Sequence, residues 1–178
     1  LKSLPKNLQL IKLKFQQLSM ISRPALLILD KSVSFISAEE TLDLRSRVLR
    51  PGQPLQNCLY TEDHDTSTFH LAIKNQQRII CNGTFIQQGH ELFPQAKQAY
   101  RLRGMATDFA YQKQGLGSIL IRYAITYLIQ NQCDLLWFNA RISAEAFYQK
   151  LGFEAIDLIF DIPSVGPHKV MYKWLKSS

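Results

Sequence analysis

The residues best suited to chemistry are Gln112, Lys113, Gln114, Gly115, Leu116, Gly117 and Ser118, which follow one another without a break. A strand-like run, Tyr100 to Thr107, precedes them, and an apolar helical pattern runs on from Ser118 to about Gln130. A chain that leaves a strand, turns through glycines and starts a helix presents unpaired backbone N–H groups and the positive helix end to one point, which suits an anion. Gly115 and Gly117 let the backbone approach that anion with no Cβ in the way. The expected ligand carries phosphate.

The spacing narrows the choice. It is neither GxxxxGK[ST] nor GxGxxG, but Gln112-Lys113-Gln114-Gly115-Leu116-Gly117 fits Q/R-x-x-G-x-G/A. Three further blocks surround it in order. Leu102-Arg103-Gly104-Met105-Ala106-Thr107-Asp108 lies upstream, Leu135-Leu136-Trp137-Phe138-Asn139-Ala140 downstream, and then Ala144-Glu145-Ala146-Phe147-Tyr148-Gln149-Lys150-Leu151-Gly152-Phe153. Together they resemble the GNAT superfamily of N-acyltransferases: its central strand, pyrophosphate loop, next parallel strand and A-x-x-FYxKLGF helix. Gly166-Pro167-His168-Lys169-Val170-Met171 is similar to the last hairpin strand of the ElaA-like bacterial branch. The resemblance spans roughly Val33 to Leu175.

The resemblance implies an α/β GNAT fold, a mixed curved sheet of about six to seven strands with helices on both faces. It implies acetyl-CoA, or another short acyl-CoA, as co-substrate and an amine as acceptor, with a homodimer left open. Cofactor-binding residues carry over as Met105, Ala106 and Thr107 (main chain to the pantetheine), Gln112 to Ser118 (pyrophosphate) and Asn139 (beside the pantetheine). Tyr148 matches the residue that protonates the departing CoA sulfur. Each has a plainer reading: central-strand core for 105–107, an Asx turn or cap for Asn139, an amphipathic core tyrosine for Tyr148. The family's frequent strand glutamate is missing, since Arg101 and Arg103 stand on that strand without an acid. The base is then a relayed water, His168, Asp157 or Glu62. The two arginines either hold an acceptor's carboxylate or cover the sheet edge. The competing function is a non-catalytic acyl-CoA sensor or interaction module on the same fold.

Composition agrees with one globular domain of 178 residues. No apolar run approaches the ~18 residues of a membrane span. Cys58, Cys81 and Cys133 are odd in number and scattered, so they form neither a disulfide framework nor a zinc pattern, and a reducing, cytoplasmic compartment is expected. Asp63, His64, Asp65 and His70 match no standard metal spacing and read as a polar loop, so no metal is expected. Of the net charge of +7, more than half sits in residues 1–30, where Lys2, Lys6, Lys12, Lys14 and Arg23 face only Asp30. Without aromatic–basic interleaving, nucleic acid is a poor match for that arm.

Residues 1–30 therefore read as a basic amphipathic extension, an extra helix ended by Pro24, a disordered arm or sequence upstream of the natural start, with a targeting signal ranked lower. The opening Leu1 points to a fragment or a processed chain. Residues 31–178 read as the GNAT domain. Its first strand is Ser32–Ile36, and Ser37 caps a helix to about Arg50 with Glu40 at the capping-box position. A polar, irregular connection over 51–67 follows and then a hairpin around Asn75-Gln76-Gln77. After the central strand come helix Ser118–Gln130, strand Leu135–Asn139, helix Ser143–Leu151 stopped by Gly152, and strands Glu154–Phe160 and His168–Leu175.

Overall fold

The computed structural model describes residues 32–163 and 165–175. The amphipathic helix expected in the first 30 residues lies outside them. No described helix is long and apolar enough to cross a membrane.

Strand β1 (Val33–Ile36) leads into α1 (Ala38–Leu49). Ser37 starts that helix as its residue type predicts. Its Oγ accepts from the Glu40 N–H at 3.4 Å, and its own N–H donates to Glu40 Oε2 at 2.9 Å. β2 (Phe69–Asn75) and β3 (Arg78–Gln87) form the expected hairpin, turning through Gln76 at φ 54. β4 (Ala99–Thr107) is the central strand, and α2 (Leu116–Gln130) starts two residues before the sequence pattern does, because Gly115, left-handed at φ 80, is its N-cap. β5 (Leu135–Arg141), the short α3 (Glu145–Gln149), β6 (Glu154–Ile162) and β7 (Gly166–Trp174) complete the chain.

The seven strands form one sheet in the order β1-β2-β3-β4-β5-β7-β6. Every pairing is antiparallel except β4 with β5. That parallel ladder covers only Ala99–Arg101 against Leu135–Trp137. Its closed end is fastened by Asp134, whose carboxylate accepts from the N–H groups of Lys97 and Gln98 at 2.7 and 3.1 Å. From Leu102 and Phe138 onward the two strands make no ladder, so the sheet opens into a wedge beside the backbone of Leu102–Thr107.

Helices cover both faces. α2 buries Leu116, Leu120, Ile121, Ala124 and Leu128 against Leu71, Phe85, Leu102, Leu136 and Phe138, the main core. At about 1.5–3 kcal/mol per buried large aliphatic side chain, this stripe is what anchors the helix behind the glycine loop. α1 packs on the other face, with Thr41, Leu44 and Arg45 buried. Two corrections concern local structure. The connection over 51–67 is not irregular throughout, for it holds 3-10 turns at Leu55–Cys58 and Thr61–His64. The α-helix before Gly152 is shorter than expected, because its first turn is a 3-10 turn, Ile142–Ala144.

Candidate active site

A bulge in β4 sets the direction of the site's side chains. Asn82 pairs with Ala106 but Thr84 with Arg103, so Gly83 alone faces Gly104 and Met105. Gly104 has φ +59, and a Cβ there would lie 2.8 Å from Arg45 Nε and 3.1 Å from the Tyr60 ring. No other residue type fits without displacing that packing. Before the bulge Arg101 and Arg103 share the α1 face with Ile86 and Thr84, their register partners. After it Met105 turns to the α2 face, where its Cε would come within 3.3 Å of a Cβ on Gly117.

The wedge is occupied by a cleft of about 910 Å³ that continues into a second chamber of about 170 Å³. Of the predicted cofactor-binding residues, Met105, Ala106, Thr107, Gln112, Lys113, Gly115, Leu116, Gly117, Ser118 and Asn139 all line the main cleft, and Tyr148 lines it too. Gln114 does not. Its side-chain amide donates to the Ala110 carbonyl at 3.2 Å, which tightens the loop from outside. The Gln112 side chain also works within the loop, donating from Nε2 to the Thr107 carbonyl at 3.2 Å and so pinning the strand end to the turn. Lys113 adopts φ 60, which helps the chain reverse before α2.

The first turn of α2 leaves the N–H groups of Leu116, Gly117 and Ser118 without helical acceptors. Ile119 is the first to bond back, to the Gly115 carbonyl at 3.1 Å. No acidic residue stands in that turn, and no Asp or Glu lines the cleft among the described residues, whereas Arg50, Arg103, Lys113 and Arg141 do. Bare amides at a helix N-terminus in an acid-free, basic cleft fit a diphosphate.

Asp108 was missed by sequence reasoning. It is buried at the mouth of the loop, accepts from the Ala110 N–H at 3.1 Å, and accepts at 2.8 Å from both Arg47 of α1 and Arg78 of β3. Burial alone would raise its carboxyl. The Arg47 hydrogen bond, the Ala110 N–H and the nearby arginine charges outweigh that and hold it below the usual carboxylate range. Its only signal in the sequence is an acid between a strand end and a glycine loop.

Tyr148 is 8% exposed, with its ring 4.3 Å from that of Phe138 between centroids. Burial raises its phenol well above the ordinary value, so it stays protonated. Asn139 is no cap, since β5 continues to Arg141. Its Oδ1 is buried with no hydrogen-bond partner, and the residue lines both the cleft and the smaller chamber.

Among the three named acid–base candidates, two are displaced. Glu62 lines neither chamber and sits 3.4 Å from Arg103. Asp157 is fully exposed, 3.5 Å from Lys169. His168 does line the cleft. Its Nδ1 is 2.7 Å from the Gly166 carbonyl, which can only accept, so Nδ1 carries the proton and Nε2 is left basic. His168 pairs with Arg141, and Asn139 with Val170, which puts His168 and Asn139 on one face of the sheet. Tyr148 packs on the opposite face, against Phe138.

The acidic and histidine cluster of the 61–70 segment is structural. Asp63 pairs with Arg45, and His70 bonds Thr84 Oγ1 at 2.8 Å and the Asp63 carbonyl at 3.0 Å. His64 faces Glu39 at 3.8 Å. Cys58, Cys81 and Cys133 are buried free thiols.

Comparison with known proteins agrees with this geometry. Residues 35–153 match the model of the Acetyltransferase (GNAT) family. The chain is 42% identical over 146 residues to the uncharacterized N-acetyltransferase YitI of Bacillus subtilis (strain 168), covering 82% of this chain and 97% of that protein. Its fold is similar to that of Escherichia coli ElaA, with TM-score 0.64 at 15% identity over 80% of this chain and 98% of the other. It is also similar to an aminoglycoside 6'-N-acetyltransferase complexed with coenzyme A, with TM-score 0.62 at 13% identity over 82% and 97% of the two chains. The chain is an N-acetyltransferase and belongs to the GNAT acetyltransferase family.

Proposed function

We propose that this enzyme transfers an acetyl group from acetyl-CoA to a primary amine by direct attack within a ternary complex. The observation that carries the reading is the continuity of one cleft from the α2 amides, along the unpaired edge of β4, to Tyr148 and His168. The diphosphate lies on the amides of 112–118, and the pantetheine amides pair with the β4 edge at Met105–Thr107 in place of a strand. The neutral amine enters from the α1 face, and the proton its nitrogen sheds as the new bond to carbon forms goes to His168 Nε2. Its nitrogen attacks the thioester carbonyl carbon, a β4 N–H meets the charge that develops on oxygen, and the C–S bond breaks. Tyr148, on the opposite face, gives its proton to the sulfur. The products are an N-acetyl amine and free CoA thiol.

His168 holds the base role because, among the described residues lining the cleft, no carboxylate competes for it. Placing amine and thioester together supplies a large share of the acceleration, and each proton transfer adds about 10²–10⁴-fold. The test is thiol release from acetyl-CoA across a panel of amines, with His168→Gln alongside. Turnover that depends on amine and falls about 10²-fold in the variant at unchanged CoA affinity supports the assignment. CoA binding without turnover on any amine contradicts it.

A further inference from the structure

The smaller chamber is strongly basic. Arg50, Arg101 and Arg103 line it, and no Asp or Glu does among the described residues. Arg101 is the most constrained of the three. Its guanidinium lies 4.8 Å from the centroid of the Trp137 ring, one terminal nitrogen donates to Gln88 Oε1 at 3.2 Å, and its Nε is buried without a partner. Arg103 lies 4.0 Å from the centroid of the Tyr60 ring, and its one ion pair, with Glu62, is long at 3.4 Å. Arg50 has no side-chain partner among the described residues. Burial first, and then the like charge of Arg103, disfavour the charged form of Arg101, so the fold bears a cost that an anion between the two would relieve.

We propose that the acceptor is a small amine carrying a carboxylate, held by the Arg101 and Arg103 guanidiniums while its nitrogen lies beside Asn139. The inference rests on the acetyltransferase reading above and names the substrate class of the same site. Three features point to it. The flat guanidinium fork matches a carboxylate in a bidentate manner. Asn139, whose buried Oδ1 has no partner, lines both chambers at the junction where the thioester would end and is a polar side chain within the amine's reach. A chamber of about 170 Å³ has room for a compact amino acid. Polyamines, by contrast, would bring positive charge to three arginines.

The experiment compares matched pairs on the full chain: L-methionine with L-methioninamide, L-glutamate with its α-amide L-isoglutamine, and β-alanine with β-alaninamide. O-phosphoethanolamine and spermidine are the outlying probes. Thiol release gives kcat/KM for each, and the shift in melting temperature with CoA present reports binding independently of turnover. The acids are expected to exceed their amides by tenfold or more in kcat/KM. In Arg101→Gln and in Arg103→Gln, the second being the less buried site, that ratio falls toward one while CoA affinity is kept. Equal use of acids and amides, or preference for spermidine, overturns the inference and leaves the acetyltransferase reading intact. Preference for O-phosphoethanolamine over β-alanine overturns the carboxylate assignment in favour of phosphate. If no probe is acetylated, acids that stabilise the CoA complex more than their amides, and lose this in Arg101→Gln, still support it, and the lack of such a difference overturns it.

Discussion

Arg45 and Asp63 meet in a bidentate pair, 2.6 and 2.9 Å, with side-chain exposures of 1% and 0%. The same arginine donates to the Cys58 carbonyl at 3.0 Å and to Thr84 Oγ1, while Asp63 also accepts from the Tyr60 N–H at 2.9 Å. One ion pair thus ties α1, β3 and the 51–67 segment together and sets Tyr60 against Gly104, where the smaller chamber begins. Removing one partner leaves a buried charge uncompensated. Asp63→Ala is expected to lose about 3–5 kcal/mol in denaturant unfolding, and an unfolding midpoint equal to that of wild type would refute the role.

Acid should weaken this region in two stages. Burial is the main cause that lowers His70 below its ordinary value, so below about pH 6.5 the unfolded chain takes up a proton that the folded chain resists. Stability then falls as pH falls. Asp63 and Asp108 also sit below the usual carboxylate range, where their arginine partners outweigh burial. Their contribution is complete above about pH 4 and is lost as pH drops through their folded values. Unfolding free energies measured between pH 8 and pH 3 should show both declines, and His70→Asn should reduce the first, with His90, also lowered mainly by burial, supplying the remainder. A flat profile in wild type between pH 7.5 and 5 would count against the His70 assignment.

Tyr148→Phe keeps the ring on Phe138 and deletes the hydroxyl alone. Acetyl-CoA affinity should hold while kcat falls by about 10²-fold or more. A purely packing tyrosine forecasts the reverse, a small loss of stability with normal kcat. Steady-state kinetics with one acceptor, beside a melting curve, separates the two.

Residues 31–178 are proposed to form a self-sufficient unit. A protein lacking the first 30 residues should fold and bind CoA as the full chain does, measured by calorimetry. Loss of the cooperative transition on truncation would show that the Leu8–Ile21 apolar residues belong to the core.

Much of this was readable in the residues. The capping box at Ser37 and Glu40, the Gln76 turn and the glycine loop are local devices, fixed by side chains a few positions apart, and they stand where the sequence puts them. What escaped depends on contacts distant in sequence. The Arg45–Asp63 pair spans 18 residues and the Arg47–Asp108 pair 61, and neither has a periodicity to reveal it. That His168 lines the cleft follows from the register of β7 on β5, a pairing of residues 27 apart that no local pattern shows, since His168 lies opposite Arg141. The bulge at Gly104 inverts the side-chain alternation of β4, so Arg103 and Met105 face opposite sides of a strand on which simple alternation gives them the same side.

Calorimetric CoA affinity of Ser118→Asp shows whether the amides of the 112–118 loop hold the CoA diphosphate. A carboxylate in the first turn of α2 favours the free helix through its dipole, by about 0.3–1 kcal/mol, and repels a phosphate at the same place. Ser118→Asp is expected to melt, without CoA, at or above the wild-type temperature and to show a CoA dissociation constant raised about tenfold or more, equivalent to about 1.4 kcal/mol. CoA affinity unchanged in this well-folded variant would contradict it.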